Sequence, residues 1–182
     1  MIASDERARL LARARTAIAG RLGVDVRQPA RRSGTCHAGA FVTLRLGGDL
    51  RGCVGHIEPD RPLDDVIADC AVAAATEDPR FPQLHVDELP RITIEISVLG
   101  LLEPVSRLED IEVGRHGLVV EHGHRRGLLL PGVPVDWGWD VHTFVRQTCR
   151  KAGLPLDAWP GTGVALSRFE AEVFGEEPSA GR

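Results

Sequence analysis

Apolar and polar residues alternate along several stretches of the chain, and a period of two is typical of a β-strand with one buried face. Residues 41–46 and 50–57 are two such stretches, and the glycine-containing turn between them predicts a β-hairpin. Residues 91–99 alternate isoleucine and valine with threonine, glutamate and serine, which predicts a strand with one polar face. A second hairpin and a final strand are predicted at 118–121, 127–130 and 165–174.

Other segments place apolar residues at spacings of three and four, which is typical of helices with one buried side. The first predicted helix begins at Ser4, whose hydroxyl can cap it, and ends before Gly23. The second occupies residues 63–77, and the third follows the capping residue Asp140 and ends before Gly153. Hairpins with flanking helices predict an α+β fold built mostly from antiparallel sheet.

The bulk composition indicates a globular protein. At 182 residues with 43% hydrophobic content, the chain can form one domain over residues 1–175, undivided or as two subdomains, and residues 176–182 predict a disordered tail. The net charge of −4 and the lack of a strongly basic stretch argue against nucleic acid as a partner. No segment has the roughly 18 apolar residues of a membrane span, and the first residues do not resemble an export signal. We therefore expect a cytoplasmic protein that does not bind membranes.

The cysteines are widely spaced along the chain, which predicts reduced thiols rather than a disulfide framework. Cys70 and Cys149 fall on the apolar sides of predicted helices and are expected in the core. Cys36, Cys53 and neighbouring histidines could be imagined as metal ligands, but their spacing matches no usual zinc pattern. No metal or other cofactor is therefore expected.

The strongest candidate for chemistry is the segment Leu50-Arg51-Gly52-Cys53-Val54-Gly55. A cysteine is strongly nucleophilic once it is deprotonated. On a regular strand Arg51 and Cys53 share a face, and a neighbouring cation favours the thiolate. Gly52 and Gly55 leave room for another backbone or a ligand. The alternative is that Cys53 is a small buried hydrophobe, as free cysteine often is.

The length of the loop in the first hairpin decides which way Cys53 faces. A two-residue loop pairs it with Val42 or Leu44 on the apolar face, and a three-residue loop pairs it with Thr43 on the more polar face. A shift of one residue exchanges the two faces. The sequence leaves both orientations open.

His56, Asp78 and Arg80 are further candidates for a binding site. His56 could serve Cys53 as a base, but a spacing of three places the two on opposite faces of a regular strand. Asp78 can accept hydrogen bonds from backbone amides, and Arg80 can bind a carboxylate or phosphate through two hydrogen bonds. An internal salt bridge is the alternative use of Arg80.

Several segments resemble the AMMECR family, whose microbial members are called protein A of the AmmeMemoRadiSam system. The hexapeptide at 50–55 resembles the signature of that family, and similar segments follow in order up to residue 174. They are Phe41-Val42-Thr43-Leu44, Glu77-Asp78-Pro79-Arg80-Phe81-Pro82, Ile94-Glu95-Ile96-Ser97-Val98-Leu99, Gly127-Leu128-Leu129-Leu130-Pro131, Gly138-Trp139-Asp140 and Cys149-Arg150-Lys151-Ala152-Gly153-Leu154.

This resemblance implies a two-lobed α+β fold and partners that resemble Memo-type and radical SAM proteins, but no established biochemical activity. We interpret the chain as a substrate-binding or scaffold component of a modification system, with residues 51–55 as a docking edge. The alternative is an enzyme or carrier with Cys53 as nucleophile and Arg51 favouring the thiolate. The first interpretation is preferred because the sequence identifies no convincing base. The candidate site residues are Cys53 and Arg51 for catalysis, and Gly52, Gly55, His56, Asp78 and Arg80 for binding.

Overall fold

The computed structural model describes residues 1–26 and 36–177, so part of the predicted loop before the first hairpin and most of the predicted tail lie outside the described residues. The chain divides into two compact units. The first unit contains Met1–Leu99 and Glu172–Arg182, and the second contains Gly100–Ala171. Both combine helices with antiparallel strands, which confirms the predicted α+β class.

The described helices and strands follow the order that the sequence pattern predicts, with the short elements β4 and α3 in addition. They are α1 (Ser4–Arg21), β1 (Ala40–Leu46), β2 (Asp49–His56), α2 (Leu63–Thr76), β3 (Ile92–Leu99), β4 (Glu103–Pro104), β5 (His116–His122), β6 (Arg125–Leu129), α3 (Gly132–Asp136), α4 (Val141–Lys151) and β7 (Ala165–Gly175). No helix in these described ranges combines the length and the apolar character that crossing a bilayer requires.

The first unit is an antiparallel sheet whose apolar face is covered by α1 and α2. β1 lies between β2 and β3, and the end of β7 lies beside β3, so β2 forms an edge. Val42, Leu44 and Ile96 point toward the helices and are fully buried. Burial of such side chains stabilises the fold by about 1.5–3 kcal/mol each. The alternating pattern that predicts the strands therefore also determines which face the helices cover.

The turn between β1 and β2 contains only residues 47–48, both glycines with positive φ of 63° and 92°. A two-residue loop alone would pair Leu44 with Arg51, but Leu44 pairs with Gly52. Arg51 is therefore the extra residue of a β-bulge, which shifts the pairing of the following residues by one. The bulge is the feature that selects between the two predicted orientations of Cys53.

Beyond the bulge, Cys53 pairs with Thr43, and Thr43 pairs on its other side with Glu95 of β3. These three residues alternate with the buried apolar residues of their strands and lie on the face opposite the helices. Cys53 therefore occupies the more polar of its two predicted positions.

The start of α1 differs from the prediction. The helix begins at Ser4, and no side chain caps it from the preceding residue, so the prediction that Ser4 acts as the cap is wrong. The backbone N–H of Ile2 instead donates to both oxygens of Glu172, at 2.8 and 2.9 Å, and Arg7 pairs with the same carboxylate at 2.7 Å. A residue distant in sequence thus holds the segment that precedes the helix.

Glu176, which is predicted to belong to the disordered tail, forms hydrogen bonds with residues of the first unit. Its carboxylate accepts from the guanidinium of Arg15 at 2.8 Å and from the backbone N–H of Ile94 at 2.9 Å. Its own N–H donates to the carbonyl oxygen of Ile94 at 2.9 Å. The ordered chain therefore extends past the end of β7.

The second unit has a separate core. β5 lies between β6 and the first part of β7, which also pairs with β4. Leu118 and Val120 of β5 and Phe144 and Cys149 of α4 are buried together in this core. Asp140 caps α4 by accepting from the N–H of Thr143 at 2.7 Å, which confirms the predicted cap.

Candidate functional site

The four cysteines differ in burial, and Cys53 is half-buried. Cys36 is exposed, whereas Cys70 and Cys149 are buried in their helices as predicted. Burial raises the pKa of Cys70 to about 11 and also raises the pKa of Cys149. The hydroxyl of Thr43 donates to the sulfur of Cys53 at 3.3 Å. Cys53 is therefore reachable by solvent and has a defined hydrogen-bond donor.

Asp78 and Arg80 satisfy the backbone groups of Cys53 at the open edge of β2. The N–H of Cys53 donates to Oδ2 of Asp78 at 2.9 Å, and Nη2 of Arg80 donates to the carbonyl oxygen of Cys53 at 3.4 Å. Arg80 in turn donates to Asp78 from its backbone N–H at 3.1 Å, from Nε at 2.9 Å and from Nη2 at 2.6 Å. The two side chains thus occupy the position that a neighbouring strand would take.

Burial differs sharply between the two members of this pair. The side chain of Asp78 is 3% exposed, whereas that of Arg80 is 53% exposed. The hydrogen bond from Arg80, followed by those from backbone amides, holds the pKa of Asp78 well below its usual range. The carboxylate is therefore charged and internal, and the guanidinium presents part of its surface outward beside Cys53.

Arg51 makes its contacts away from Cys53. Its guanidinium pairs with Glu88 through Nε and Nη2, both at 2.9 Å, and donates to the carbonyl oxygen of Pro82 at 2.8 Å. The bulge at Arg51 also interrupts the alternation on which its predicted proximity to Cys53 depends. A catalytic role for Arg51 would require it to leave these partners.

The space beside Gly52 and Gly55 is filled by the protein itself. A Cβ on Gly52 would lie 2.0 Å from the carbonyl oxygen of Ala74 in α2, and one on Gly55 would lie 2.3 Å from the ring of Phe41. Both glycines therefore permit close packing within the first unit. Any contribution that they make to binding is indirect.

His56 lies at the end of β2 and contacts acidic residues. Its Nε2 is 2.6 Å from Oδ1 of Asp60, and its Nδ1 is 3.8 Å from Glu58. It pairs across the hairpin with Ala40, whereas Cys53 pairs with Thr43, so the two side chains belong to opposite faces. The structure therefore does not bring His56 and Cys53 together as a dyad.

Comparison with known protein families assigns this sequence to one of them. The sequence matches the AMMECR1 family over residues 11–174. The chain belongs to the AMMECR1 family. The resemblance seen in the sequence motifs is thereby confirmed.

Relatives of this AMMECR1-family protein occur in archaea. Protein MJ0810 of Methanocaldococcus jannaschii is 47% identical over 146 residues, which cover 76% of this chain and 73% of the relative. A protein of Thermococcus gammatolerans is 49% identical over 149 residues, with 76% and 73% covered. The crystal structure of uncharacterized protein PH0010 from Pyrococcus horikoshii has a TM-score of 0.86 and 38% identity, and the match covers 95% of this chain and 92% of that one.

Two residues of the candidate site are absent from the sequence-based candidates. Thr43 contacts the sulfur of Cys53, and Glu88 pairs with Arg51. The alternation of β1 could have identified Thr43, because the three-residue loop would already pair it with Cys53. Nothing local identifies Glu88, because it lies 37 residues after its partner. Within residues 1–26 and 36–177, no group of three or more metal-ligating side chains is arranged to hold an ion.

Proposed function

We propose that this AMMECR1-family protein is a substrate-binding or scaffold component of a cytoplasmic modification system, and that it works with a Memo-like protein and a radical SAM protein. The observation that carries the proposal is the Asp78–Arg80 pair, which fixes both backbone groups of the half-buried Cys53 on an edge strand. Arg80 presents part of its guanidinium outward beside Cys53, and a guanidinium suits the recognition of an anionic group on a partner or substrate.

The surroundings of the sulfur support binding more than nucleophilic catalysis. An activated thiol normally has a positioned base within hydrogen-bond reach. Among the described residues, the hydrogen bond to the sulfur of Cys53 comes from the hydroxyl of Thr43, while the ring of His56 contacts Asp60. Asp78 directs its oxygens to the backbone of Cys53 and to Arg80. The site therefore resembles a recognition surface with a thiol at its centre.

The Thr43 hydrogen bond also favours a second candidate function, in which Cys53 is the nucleophile of an enzyme or carrier. An O–H donor aimed at sulfur stabilises negative charge there. Arg80 adds a positive group near the same strand. This alternative needs a base or a proton acceptor from the substrate or from a partner.

Partner binding tests the proposed function. Purified Memo-like and radical SAM proteins from the same organism are titrated against the wild-type protein, Cys53→Ala and Arg80→Gln by biolayer interferometry. We expect Cys53→Ala to bind within about threefold of wild type and Arg80→Gln to bind at least about tenfold more weakly, because a charged hydrogen bond contributes about 1.5–3 kcal/mol.

Arg45→Gln is the matched control, because Arg45 is an exposed arginine of the same hairpin and donates to the carbonyl oxygen of Gly48 in its own turn. It should bind like wild type. Failure of the wild-type protein to bind either partner at about 100 μM, where specific interactions of micromolar affinity are saturated, would overturn the proposal. If Cys53→Ala still binds its partners but the modification system no longer forms its product, Cys53 is the nucleophile.

Thiol labelling separates the roles of the cysteines. In the folded protein, iodoacetamide should modify Cys36 and Cys53, whereas Cys70 and Cys149 should react only after unfolding, because burial protects them. Thr43→Val should slow the reaction of Cys53 by roughly two- to tenfold, since it removes one hydrogen bond. Site-resolved mass spectrometry gives each rate, with Cys36 as internal control. If Cys53 reacts no faster than Cys70, the nucleophile alternative is excluded.

A further inference from the structure

The second unit contains a pocket that the proposed function does not use. Its volume is about 580 Å³, which is within the usual range for ligand sites. The pocket is lined by the start of this unit, by the turn before β5 and by the part of β7 that pairs with β5. Its acidic residues outnumber its arginines, Arg115 and Arg168. They are Glu103, Glu109, Asp110, Glu112 and Glu170.

Both arginines of the pocket are already paired with its carboxylates. Arg168 donates to Oε2 of Glu103 from Nε at 3.0 Å and from Nη2 at 2.9 Å. Arg115 pairs with Glu170 at 2.7 Å and with Glu112 at 3.2 Å. An anionic ligand would have to displace these carboxylates, whereas a cationic ligand meets a lining with an excess of negative charge.

His116 brings a neutral imidazole to the pocket. It is 7% exposed, and its Nδ1 accepts from the backbone N–H of Glu112 at 2.9 Å. The pKa of His116 is lowered, first by burial and then by Arg168 and Arg115. A neutral ring whose Nδ1 accepts a hydrogen bond carries its proton on Nε2.

The Nε2–H of His116 is a donor without an acceptor in the protein. Within residues 1–26 and 36–177, the hydrogen bond of this ring is the one made by Nδ1. Nε2 is not among the partnerless polar atoms that the described residues seal off from solvent. Because the pocket is the accessible space that His116 lines, the N–H is presented to that space. A ligand that binds here can therefore accept a hydrogen bond from His116.

Apolar surface lies beside these polar groups. Leu101 lines the same pocket and is 83% exposed. The methylene groups of a lysine or arginine side chain pack on such surface while the charged end reaches a carboxylate. A bare metal ion would leave both this surface and the N–H of His116 unused. The lining therefore suits an organic cation that also carries an oxygen acceptor.

We propose that this pocket binds a basic peptide segment of a partner or substrate protein. A peptide carbonyl oxygen accepts from Nε2 of His116, an arginine or lysine side chain lies along Leu101, and its charge meets Glu109 and Glu112. Glu109 is exposed and forms no ion pair in the described part of the chain, so its carboxylate is available. A polyamine fits less well, because it has no oxygen to accept from His116.

The imidazole of His116 gives a direct readout by NMR. Long-range proton–nitrogen spectra should show the Nε2–H tautomer in the free protein. Titration with the peptide Ac-Gly-Arg-Arg-Gly-NH2 should shift the Nε2 signal of His116 and leave that of His124, which is exposed, unchanged. Ac-Gly-Gln-Gln-Gly-NH2 lacks the charge and spermidine lacks the carbonyl groups. Each should bind at least about fivefold more weakly, since each loses a contact of about 1 kcal/mol.

Substitutions in the pocket provide the second measurement. Glu109→Gln and His116→Asn should each weaken binding of the arginine peptide in calorimetry by about threefold or more. Asparagine can still accept from the N–H of Glu112, but it is too short to place a donor where Nε2 lies. Asp157→Asn is the matched control, because Asp157 is an exposed acidic residue of the same unit outside the pocket, and it should bind like wild type.

Three results would overturn the proposal. They are equal binding of spermidine or of the glutamine peptide, unchanged affinity of Glu109→Gln, and no binding of the arginine peptide to the wild-type protein at about 5 mM, a concentration above ordinary ligand dissociation constants. Glu109 is exposed, so its substitution keeps the test decisive if circular dichroism shows that His116→Asn does not fold.

Discussion

Replacing Gly52 with alanine should lower the free energy of unfolding by about 3 kcal/mol or more, because the added methyl group would overlap the backbone of α2. The added Cβ would lie 2.0 Å from the carbonyl oxygen of Ala74 and 3.0 Å from its carbonyl carbon. Both atoms belong to the backbone of α2, so no side chain can rotate away, and the whole helix must move off β2. Guanidinium chloride unfolding followed by circular dichroism measures the loss.

Gly20→Ala is the matched control for this substitution. A Cβ at Gly20 meets nothing within 4 Å, and the residue lies in α1. Alanine should therefore stabilise the protein by about 0.5–1 kcal/mol through its better helix propensity. An unchanged unfolding midpoint for Gly52→Ala would show that α2 does not pack as closely on β2 as the structure indicates.

Asp78→Asn should have the second largest effect, a loss of about 2–3 kcal/mol at neutral pH. The carboxylate accepts from the backbone of Cys53 and from Arg80, and it is almost fully buried. Asparagine has one acceptor oxygen, and its amide group would direct donors at other donors. Because Arg80 is half exposed, water can solvate its unpaired charge, which limits the loss. Thermal and chemical unfolding give the difference between variant and wild type.

The pH dependence of that difference follows from the lowered pKa of Asp78. In the unfolded chain an aspartate titrates near a pKa of about 3.9, and in the folded protein its pKa is lower. The carboxylate therefore contributes its full stabilisation above about pH 4–5 and loses it as the pH falls toward the folded pKa. The gap between wild type and Asp78→Asn should narrow below about pH 4.

Asp140→Asn serves as the control for this profile. Asp140 is an exposed helix cap, and asparagine caps helices about as well as aspartate. Hydrogen bonds from Thr143 also lower the pKa of Asp140, but the carboxylate is exposed, so the substitution should change stability less than Asp78→Asn does throughout the same pH range. A gap for Asp78→Asn that does not change between pH 7 and about pH 3, which spans the titration of a free carboxyl group, would contradict the proposed charge on Asp78.

The sequence pattern predicts most of the fold because the elements bury one face. Strands β1 and β3 place apolar residues at every second position, and α2 and α4 place theirs on one side, so the positions of these elements follow from local periodicity. The start of α1 could not be predicted in this way. The sequence pattern predicts a cap at Ser4, whereas the contact found here joins the N–H of Ile2 to Glu172, more than a hundred residues later.

The candidate site is only partly predictable, because it too depends on contacts between residues that are distant in sequence. Cys53, Asp78 and Arg80 stand out in the sequence, but the hydrogen bonds that join them depend on the packing of α2 against β2. The β-bulge at Arg51 was also unpredictable, because turn chemistry alone gives the loop length and not the register beyond it. That single extra residue places Cys53 beside Thr43 and turns Arg51 toward Glu88.

The division of the first unit between the two ends of the chain has a consequence for synthesis on the ribosome. The second unit is one continuous segment, so all of its strands have been made once Ala171 has emerged. The first unit, although most of it is translated earlier, still lacks the carboxylates of Glu172 and Glu176 at that moment. Until they appear, Ile2, Arg15 and the backbone of Ile94 have no partners from β7 or from the residue that follows it. The part of the protein made first is therefore the part completed last, and a chain that ends before Glu172 lacks the ion pairs that Arg7 and Arg15 of α1 make with Glu172 and Glu176.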